Sequence, residues 1–95
     1  MIGKKVIIRG DRSGVFFGTL VDKNGREVKL TDCRRLWFWS GAASLSQLAV
    51  DGVKNPDNCK FTVTVPEIVI LDAIEIIPCT DKAVEVITST YEWRI

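Results

Sequence analysis

The fold of this chain is decided by residues 15–31, which read VFFGTLVDKNGREVKLT. Before the central Asn24-Gly25 pair, side chains alternate between two faces of an extended segment, one with Phe17, Thr19 and Val21 and the other with Phe16, Gly18 and Leu20. After that pair, Val28 and Leu30 alternate with charged neighbours. Asn-Gly is the pair that a two-residue type I′ hairpin turn prefers, because both central residues need a positive φ. The stretch therefore predicts a β-hairpin that turns at Asn24-Gly25.

Further strands are predicted on both sides of the hairpin. Residues 5–9 carry a β-branched run and end in a turn cluster at residues 10–14. Residues 34–39 are either a further strand or the continuation of the hairpin strand after a kink near Asp32-Cys33. Residues 60–65 alternate cleanly and predict a half-buried strand, which Pro66 ends or places at a sheet edge. Residues 67–78 predict one bent strand or two, with a buried helical turn left open because periodicity alone does not separate them.

Two short helices complete the pattern. Ser44 is a good N-cap for a helix through Val50 with Gly52 as its stop, and Thr80 could cap a helix over residues 81–87. Residues 91–95 alternate and predict a final edge strand or an oligomer contact. Five or six short strands with one or two short helices indicate a mainly β fold (β-rich α+β), either a small barrel or a half-open roll. We expect a single domain over residues 1–95.

Composition narrows the class of protein. Hydrophobic residues make up 46% of the chain and charged residues 26%, which is typical of a globular protein. The net charge of +1 argues against a duplex-DNA binder, which usually carries a clear basic excess. The N-terminus has no long apolar region, and the apolar stretch at residues 68–77 is interrupted by charges and too short to span a membrane. We therefore expect a cytoplasmic protein without a membrane partner.

The residue types needed for common catalytic and metal sites are scarce. The chain has no histidine, and its three cysteines, Cys33, Cys59 and Cys79, are well separated and expected to be reduced core thiols. Without histidine or a C-x-x-C motif, a Cys-His nucleophile pair or a standard zinc site is not expected. Asp72 and Glu75 could form a metal or acid-base pair, but edge charges are the simpler interpretation. The sequence thus predicts no enzyme activity, no cofactor and no metal.

The densest motif is Arg34-Arg35-Leu36-Trp37-Phe38-Trp39. On a strand, Arg35, Trp37 and Trp39 project to one side, and Arg34, Leu36 and Phe38 to the other. Two indoles beside a guanidinium suit a flat heterocycle linked to phosphate, since indoles stack on a base and arginine pairs with phosphate oxygens as a fork. The alternative is that both tryptophans are core or subunit-interface residues with arginine stems packed beside them.

Two further segments could extend such a site. Small residues at 41–43 precede the capped helix, whose N-terminus could attract an anion while Ser44, Ser46 and Gln47 add side-chain hydrogen bonds. The plainer interpretation is an ordinary strand-to-helix turn. The loop at residues 10–14 could present Arg12 to a ligand, although hairpin-like turns have the same composition.

Four stretches together carry a family resemblance: residues 14–20 (GVFFGTL), 34–42 (RRLWFWSGA), 44–49 (SLSQLA) and 73–79 (AIEIIPC). Over nearly its whole length the chain resembles an uncharacterised family of small proteins from tailed phages and prophages, a domain of unknown function. The resemblance implies a phage setting, in which small β-rich proteins often act on host machinery or host defence. One such strategy is an oligomeric protein that sequesters a nucleotide immune signal.

Three functions are carried forward. The leading hypothesis is a non-catalytic homo-oligomer that sequesters an ADP-ribose-type or cyclic nucleotide signal in the host cytoplasm. Its candidate site residues are Trp37, Trp39, Arg34, Arg35, Arg12, Ser44 and Gln47. The second hypothesis is a single-stranded nucleic-acid-binding small barrel. The third is an inhibitor or assembly factor that inserts the tryptophan strand into a protein partner.

Overall fold

The fold, described by a computed structural model that covers all residues 1–95, is mainly β. The strands are β1 (Lys5–Gly10), β2 (Val15–Asn24), β3 (Glu27–Phe38), β4 (Lys60–Phe61), β5 (Val65–Ile70) and β6 (Ala73–Pro78). The helices are α1 (Leu45–Asp51) and α2 (Asp81–Ser89), with a short 3-10 turn at Pro56–Asn58. No helix is long and apolar enough to cross a membrane.

The predicted hairpin is present as β2 and β3, but its turn is one residue later than expected. Asn24 pairs with Glu27, so the two loop residues are Gly25 and Arg26. Only Gly25 has a positive φ, at 62°. The predicted type I′ turn at Asn24-Gly25 is therefore wrong. A glycine with positive φ at the first central position is typical of a type II′ turn, which needs the left-handed conformation at only one residue.

All six strands belong to one antiparallel sheet that curls without closing. The order is β4-β3-β2-β1-β6, and β5 joins the same edge of β3 as β4. Only Leu71 and Asp72 separate β5 from β6, although these strands lie at opposite edges, so the sheet must curl to bring its edges together. Because β5 pairs with β3 and β6 with β1, the roll stays open. The predicted half-open roll with two short helices is confirmed.

The predicted kink in β3 lies at Asp32, the only non-glycine residue with a positive φ (47°). One register shift in the β2–β3 ladder spans this point, between the pairs Phe17–Arg34 and Thr19–Thr31. Gly18 faces the kink, where an added Cβ would lie 2.6 Å from the Cβ of Cys33 and 3.0 Å from the carbonyl oxygen of Thr31. The missing side chain lets β3 approach β2 closely and bend, which turns the second half of β3 toward the end of the roll.

The sheet buries side chains on both faces. Inside the roll, one core cluster contains Phe16, Ile8 and Leu30. On the other face, Phe17, Ile7 and their neighbours pack against both helices. The side chains that alternate along the first half of the hairpin therefore point into two different cores, not into a core and solvent. The helices consequently cover only one end of the roll, beside the last residues of β3.

Two sequence predictions near this end were wrong in detail. The strand expected at residues 60–65 is interrupted after Phe61: the Thr62 hydroxyl, rather than a backbone carbonyl, accepts the Arg35 N–H, and the Thr64 N–H donates to Glu92. Pro66 lies within β5, at the edge of the sheet, where its missing N–H is tolerated. Residues 91–95 are not a strand. They form a segment, here called the C-terminal strap, that is tied to β4 by a hydrogen bond from the Trp93 N–H to the Phe61 carbonyl at 2.8 Å.

Candidate functional site

An open cleft of about 860 Å³ lies over the second half of β3. Its lining residues are Arg12, Ser13, Gly14, Val15, Arg35, Leu36, Trp37, Trp39, Thr62 and Trp93. The structure therefore brings together four of the predicted site residues, Arg12, Arg35, Trp37 and Trp39. All three tryptophans of the chain lie on this one surface. The sequence pattern did not connect the third, Trp93, with the other two.

The floor of the cleft is formed by one face of β3 and the residue that follows it. Arg35, Trp37 and Trp39 line the cleft, as strand alternation predicts. Trp37 is 63% exposed, so it is not a core residue. Trp39 is partly buried and packs against the helix-side core. Phe38 is 50% exposed and points away from the cleft residues. One indole is therefore free to meet a ligand while the other is held by packing.

The two sides of the floor differ in chemistry. Because the strand order is β4-β3-β2, the loop that precedes β2 flanks β3 on one side, and Thr62 and Trp93 flank it on the other. The first wall carries Arg12, and the second carries an indole. One side thus adds a guanidinium to Arg35 of the floor, and the other adds an indole to Trp37 and Trp39, so the cleft offers both groups that a ring joined to phosphate requires.

Arg35 is held in place without losing its hydrogen-bond donors. Its guanidinium carbon lies 4.7 Å from the centroid of the buried Phe16 ring, a cation–π contact that orients the side chain. None of the five ion pairs in the structure involves Arg35 or Arg12. Both guanidinium groups therefore remain available for an anion in the cleft.

Arg12 is presented by a loop that Asp72 organises. The Asp72 carboxylate accepts hydrogen bonds from the backbone N–H groups of Arg12 (2.8 Å) and Ser13 (3.0 Å) and from the Ser13 hydroxyl. Glu75 instead forms an ion pair with Arg9 at 3.1 Å. The two carboxylates therefore have different partners, which favours the simpler interpretation of edge charges.

Acid is expected to release this loop. The hydrogen bonds from the Ser13 hydroxyl and the Arg12 N–H hold the pKa of Asp72 below its usual value. A carboxyl whose pKa is lower folded than unfolded stabilises the fold above its unfolded pKa of about 3.9. That contribution is lost as the pH falls from there through the lower folded value.

The Arg12 and Ser13 amide NMR signals, followed from about pH 6 to about pH 2, should shift with a midpoint below the ordinary carboxyl pKa. In an Asp72→Asn variant the same signals should no longer titrate in that way. A midpoint at or above the ordinary value would contradict the assigned hydrogen bonds.

Arg34 is not available to a ligand, and its predicted role in holding phosphate is contradicted. Its side chain is only 3% exposed. All five of its N–H donors point at backbone carbonyls, those of Thr62, Ile87, Thr90, Phe61 and Tyr91, at 2.8 to 3.1 Å. Desolvation by burial lowers its pKa, while nearby Glu92 acts in the opposite direction. Arg34 instead joins β3 to β4, to the end of α2 and to the C-terminal strap.

The side chains of Ser44 and Gln47 also form hydrogen bonds within the fold. The Ser44 hydroxyl caps α1 by accepting the Gln47 N–H at 3.1 Å, and the Gln47 side chain accepts the Ala43 N–H at 2.8 Å. This reciprocal pairing satisfies backbone donors at the start of the helix. Neither residue lines the cleft. The structure therefore supports the plainer interpretation, an ordinary strand-to-helix turn.

Trp93 is placed by three contacts of the C-terminal strap. Its N–H bonds to Phe61, the Tyr91 carbonyl accepts from Arg34, and the Glu92 carboxylate accepts the Thr64 N–H at 3.1 Å. Lys60 lies 5.4 Å from the centroid of the Trp93 ring. The only sequence signal for this residue was the alternation at residues 91–95, which was interpreted as an edge strand or an oligomer contact.

The side chains that face the cleft are almost all hydrogen-bond donors. No carboxylate or amide side chain lines it. Both hydroxyl groups already donate, Ser13 to Asp72 and Thr62 to the Val63 carbonyl. What remains is two guanidinium groups, three indole N–H groups and the faces of three indole rings. Such a surface favours an anion with exposed ring faces and disfavours a cation.

A family model described as a domain of unknown function (DUF6948) matches residues 3–87. The matched region includes Arg12, Arg35, Trp37 and Trp39 and ends before Trp93. Comparison with curated proteins found no match, and comparison with solved structures found none. Because the family model covers most of the chain, the protein belongs to this family, a domain of unknown function.

Proposed function

We propose that the cleft binds a small nucleotide-like ligand and that the protein holds this ligand without changing it chemically. The observation that carries this proposal is the combination in one cleft of three indoles and two guanidinium groups without an ion-pair partner. Ring faces stack on indoles, with about 1–3 kcal/mol per base, and a guanidinium pairs with phosphate oxygens through two parallel hydrogen bonds. The volume of about 860 Å³ lies within the range of small-molecule sites.

The biological role that we propose is sequestration of a nucleotide-derived signal, of the ADP-ribose or cyclic nucleotide type, in the host cytoplasm to counter antiviral defence. The resemblance to small phage proteins favours this role over a metabolic one. The chain has no histidine, and the carboxylates of Asp72 and Glu75 already bond to the Arg12 N–H and to Arg9. Both observations favour binding without catalysis. Exposed apolar side chains outside the cleft, such as Val69 and Leu71, favour a homo-oligomer, because a second copy would cover them, and the molar mass from light scattering tests this.

Titration calorimetry against ADP-ribose, its cyclic form and a cyclic dinucleotide tests the binding proposal. At least one of these ligands should bind the wild-type protein, and Arg35→Ala should weaken that binding about 10-fold or more, as expected for one charge-assisted pair. Arg26→Ala is the matched control, since Arg26 is exposed and does not line the cleft. Absence of binding across the panel, or equal affinities for the two variants, would sink the proposal.

Single-stranded nucleic acid is the competing ligand, because an open cleft with stacking rings would accept successive bases. Binding of an oligothymidylate with a steep salt dependence would favour this ligand, since each neutralised phosphate of a single strand contributes a slope of about −0.7. The net charge of +1 counts against it. A stoichiometric protein retained from host lysate, with no nucleotide bound, would instead favour the protein-partner hypothesis.

A further inference from the structure

We propose that Trp93 gives the cleft a second ring position, so that ligands with two rings are preferred over ligands with one, and that Arg34 is the residue that positions it. This role presupposes the nucleotide-binding cleft proposed above. It assigns to the C-terminal strap a selectivity that the β3 floor alone does not provide.

The β3 floor by itself has room for one stacked ring. Trp37 and Trp39 are two residues apart on nearly extended chain, so their Cα atoms are separated by roughly 6.6 Å. This is about twice the ~3.4 Å repeat along a nucleic-acid strand, which leaves space for one ring beside these two indoles. Arg35, the preceding residue on the same face, then lies within reach of the phosphate attached to that ring.

Trp93 lies on the other side of this floor from the loop that carries Arg12. It comes from the β4 side of β3, next to Thr62. Lys60 lies 5.4 Å from its ring centroid, and the side chain remains 41% exposed. Lys60 thus lies over one face of the indole, and the remaining exposed surface of Trp93 is what we propose as the second ring position. The cleft volume of about 860 Å³, near the upper end for small-molecule sites, is consistent with a ligand larger than one nucleotide.

Arg34 fixes the strap that carries this indole. Two of its five carbonyl partners belong to Phe61 and Thr62, two to Ile87 and Thr90, and the fifth to Tyr91. Arg34 thus binds the C-terminal strap directly. Its neighbour in sequence, Arg35, is the cation that faces the ligand. Arg34 does not touch the cleft, so its influence on binding passes through Tyr91 and the neighbouring Trp93.

The strap has few other attachments. Apart from Arg34, it is held by the hydrogen bond from the Trp93 N–H to Phe61, by that from the Thr64 N–H to Glu92 and by the cation–π contact between Lys60 and Trp93. Residues 91–95 contribute no strand or helix. They also lie outside residues 3–87, the region that the family model matches, whereas the β3 floor lies inside it. The second ring position is therefore an addition to the matched part of the cleft.

The experiment compares a one-ring and a two-ring ligand, AMP and cyclic di-AMP, by calorimetry on the full-length protein. Wild type should bind cyclic di-AMP more tightly than AMP. Trp93→Ala should weaken cyclic di-AMP binding about 5- to 150-fold, the range for one stacked ring, and AMP binding less than about 3-fold. Phe38→Ala, which removes an exposed aromatic on the other face, is the matched control and should change neither affinity.

A ligand-free measurement tests the positioning role of Arg34 separately. With 5-fluorotryptophan incorporated, the three indoles give three ¹⁹F signals, and Trp93→Phe identifies the one from Trp93. Arg34→Lys, which keeps the charge but not the planar five-donor fork, should shift that signal and speed hydrogen exchange at the Thr64 N–H. Glu92→Ala removes the acceptor of the Thr64 N–H while Arg34 is unchanged. This variant should also speed hydrogen exchange at the Thr64 N–H.

The outcomes separate the two proposals. If neither nucleotide nor any ligand of the earlier panel binds, the proposed function fails and the two-ring preference fails with it. If nucleotides bind but Trp93→Ala weakens AMP and cyclic di-AMP equally, the function stands and the second ring position is overturned. An unchanged Trp93 signal in a folded Arg34→Lys variant overturns the positioning role.

Discussion

Replacing Arg34 with methionine is expected to lower the free energy of unfolding by about 3–5 kcal/mol, because it removes five charge-assisted hydrogen bonds to backbone carbonyls. The methionine keeps much of the aliphatic stem but loses the cation–π contact of the guanidinium carbon, which lies 5.5 Å from the centroid of the Phe61 ring. The main loss comes from five backbone carbonyls that lose their hydrogen bond from Arg34, of which Phe61 keeps the one from the Trp93 N–H. Urea denaturation followed by circular dichroism measures it.

The effect should be large in relation to the whole fold. A domain of this length is stable by roughly 5–14 kcal/mol, so the substitution removes a substantial share. Arg26→Met is the matched control, because Arg26 is exposed and its nitrogen lies 3.9 Å from Asp11; it should change stability by about 0.5 kcal/mol or less. If Arg34→Met stays within about 1 kcal/mol of wild type, the carbonyl network does not stabilise the fold.

Replacing both Trp37 and Trp39 is expected to have the largest effect on ligand affinity. Each indole contributes about 1–3 kcal/mol when it stacks on a base, which corresponds to about 5- to 150-fold in the dissociation constant. A ligand ring that contacts both indoles loses both contacts in the double variant. The double variant should therefore bind the ligand more weakly than either single variant. Titration calorimetry with the tightest nucleotide of the panel measures the three affinities.

Folding must be controlled separately in these variants. Trp37 is exposed, so Trp37→Ala should leave stability within about 0.5 kcal/mol. Trp39 packs against the helix-side core, and Trp39→Phe retains an aromatic ring there while shortening the stacking surface. Phe38→Ala is the matched control for lost aromatic area on the same strand. An affinity unchanged in the Trp37→Ala/Trp39→Phe variant would place the ligand elsewhere.

The candidate site was predictable where it depends on one strand and its neighbours. Alternation along β3 assigned Arg35, Trp37 and Trp39 to one face, because successive residues of a strand point in opposite directions whatever surrounds them. The same alternation assigned Arg34 to the opposite face. It could not show that this face is covered by β4, α2 and the C-terminal strap, so the arginine was interpreted as a ligand contact.

Ser44 and Gln47 show the same limit at a helix start. Their spacing is the capping pattern, and capping was one of the two interpretations that the sequence allowed. Only the hydrogen bonds of the folded chain showed that both side chains are used in the cap. Trp93 was missed for the converse reason, since it lies 54 positions after Trp39 and no local pattern links them.

By itself, the sequence determined the features that depend on local periodicity and on side-chain chemistry: the hairpin of β2 and β3, the kink near Asp32, the caps of α1 and α2, and the face of β3 that carries two indoles and Arg35. The tertiary structure decided which residue takes the positive φ of the turn and how Thr62 and Thr64 interrupt a strand. It also decided which groups accept the hydrogen bonds of Arg34 and how Trp93 reaches the cleft. These depend on contacts between segments far apart in the chain. Such contacts form only when the sheet curls and the C-terminal strap packs beside β4.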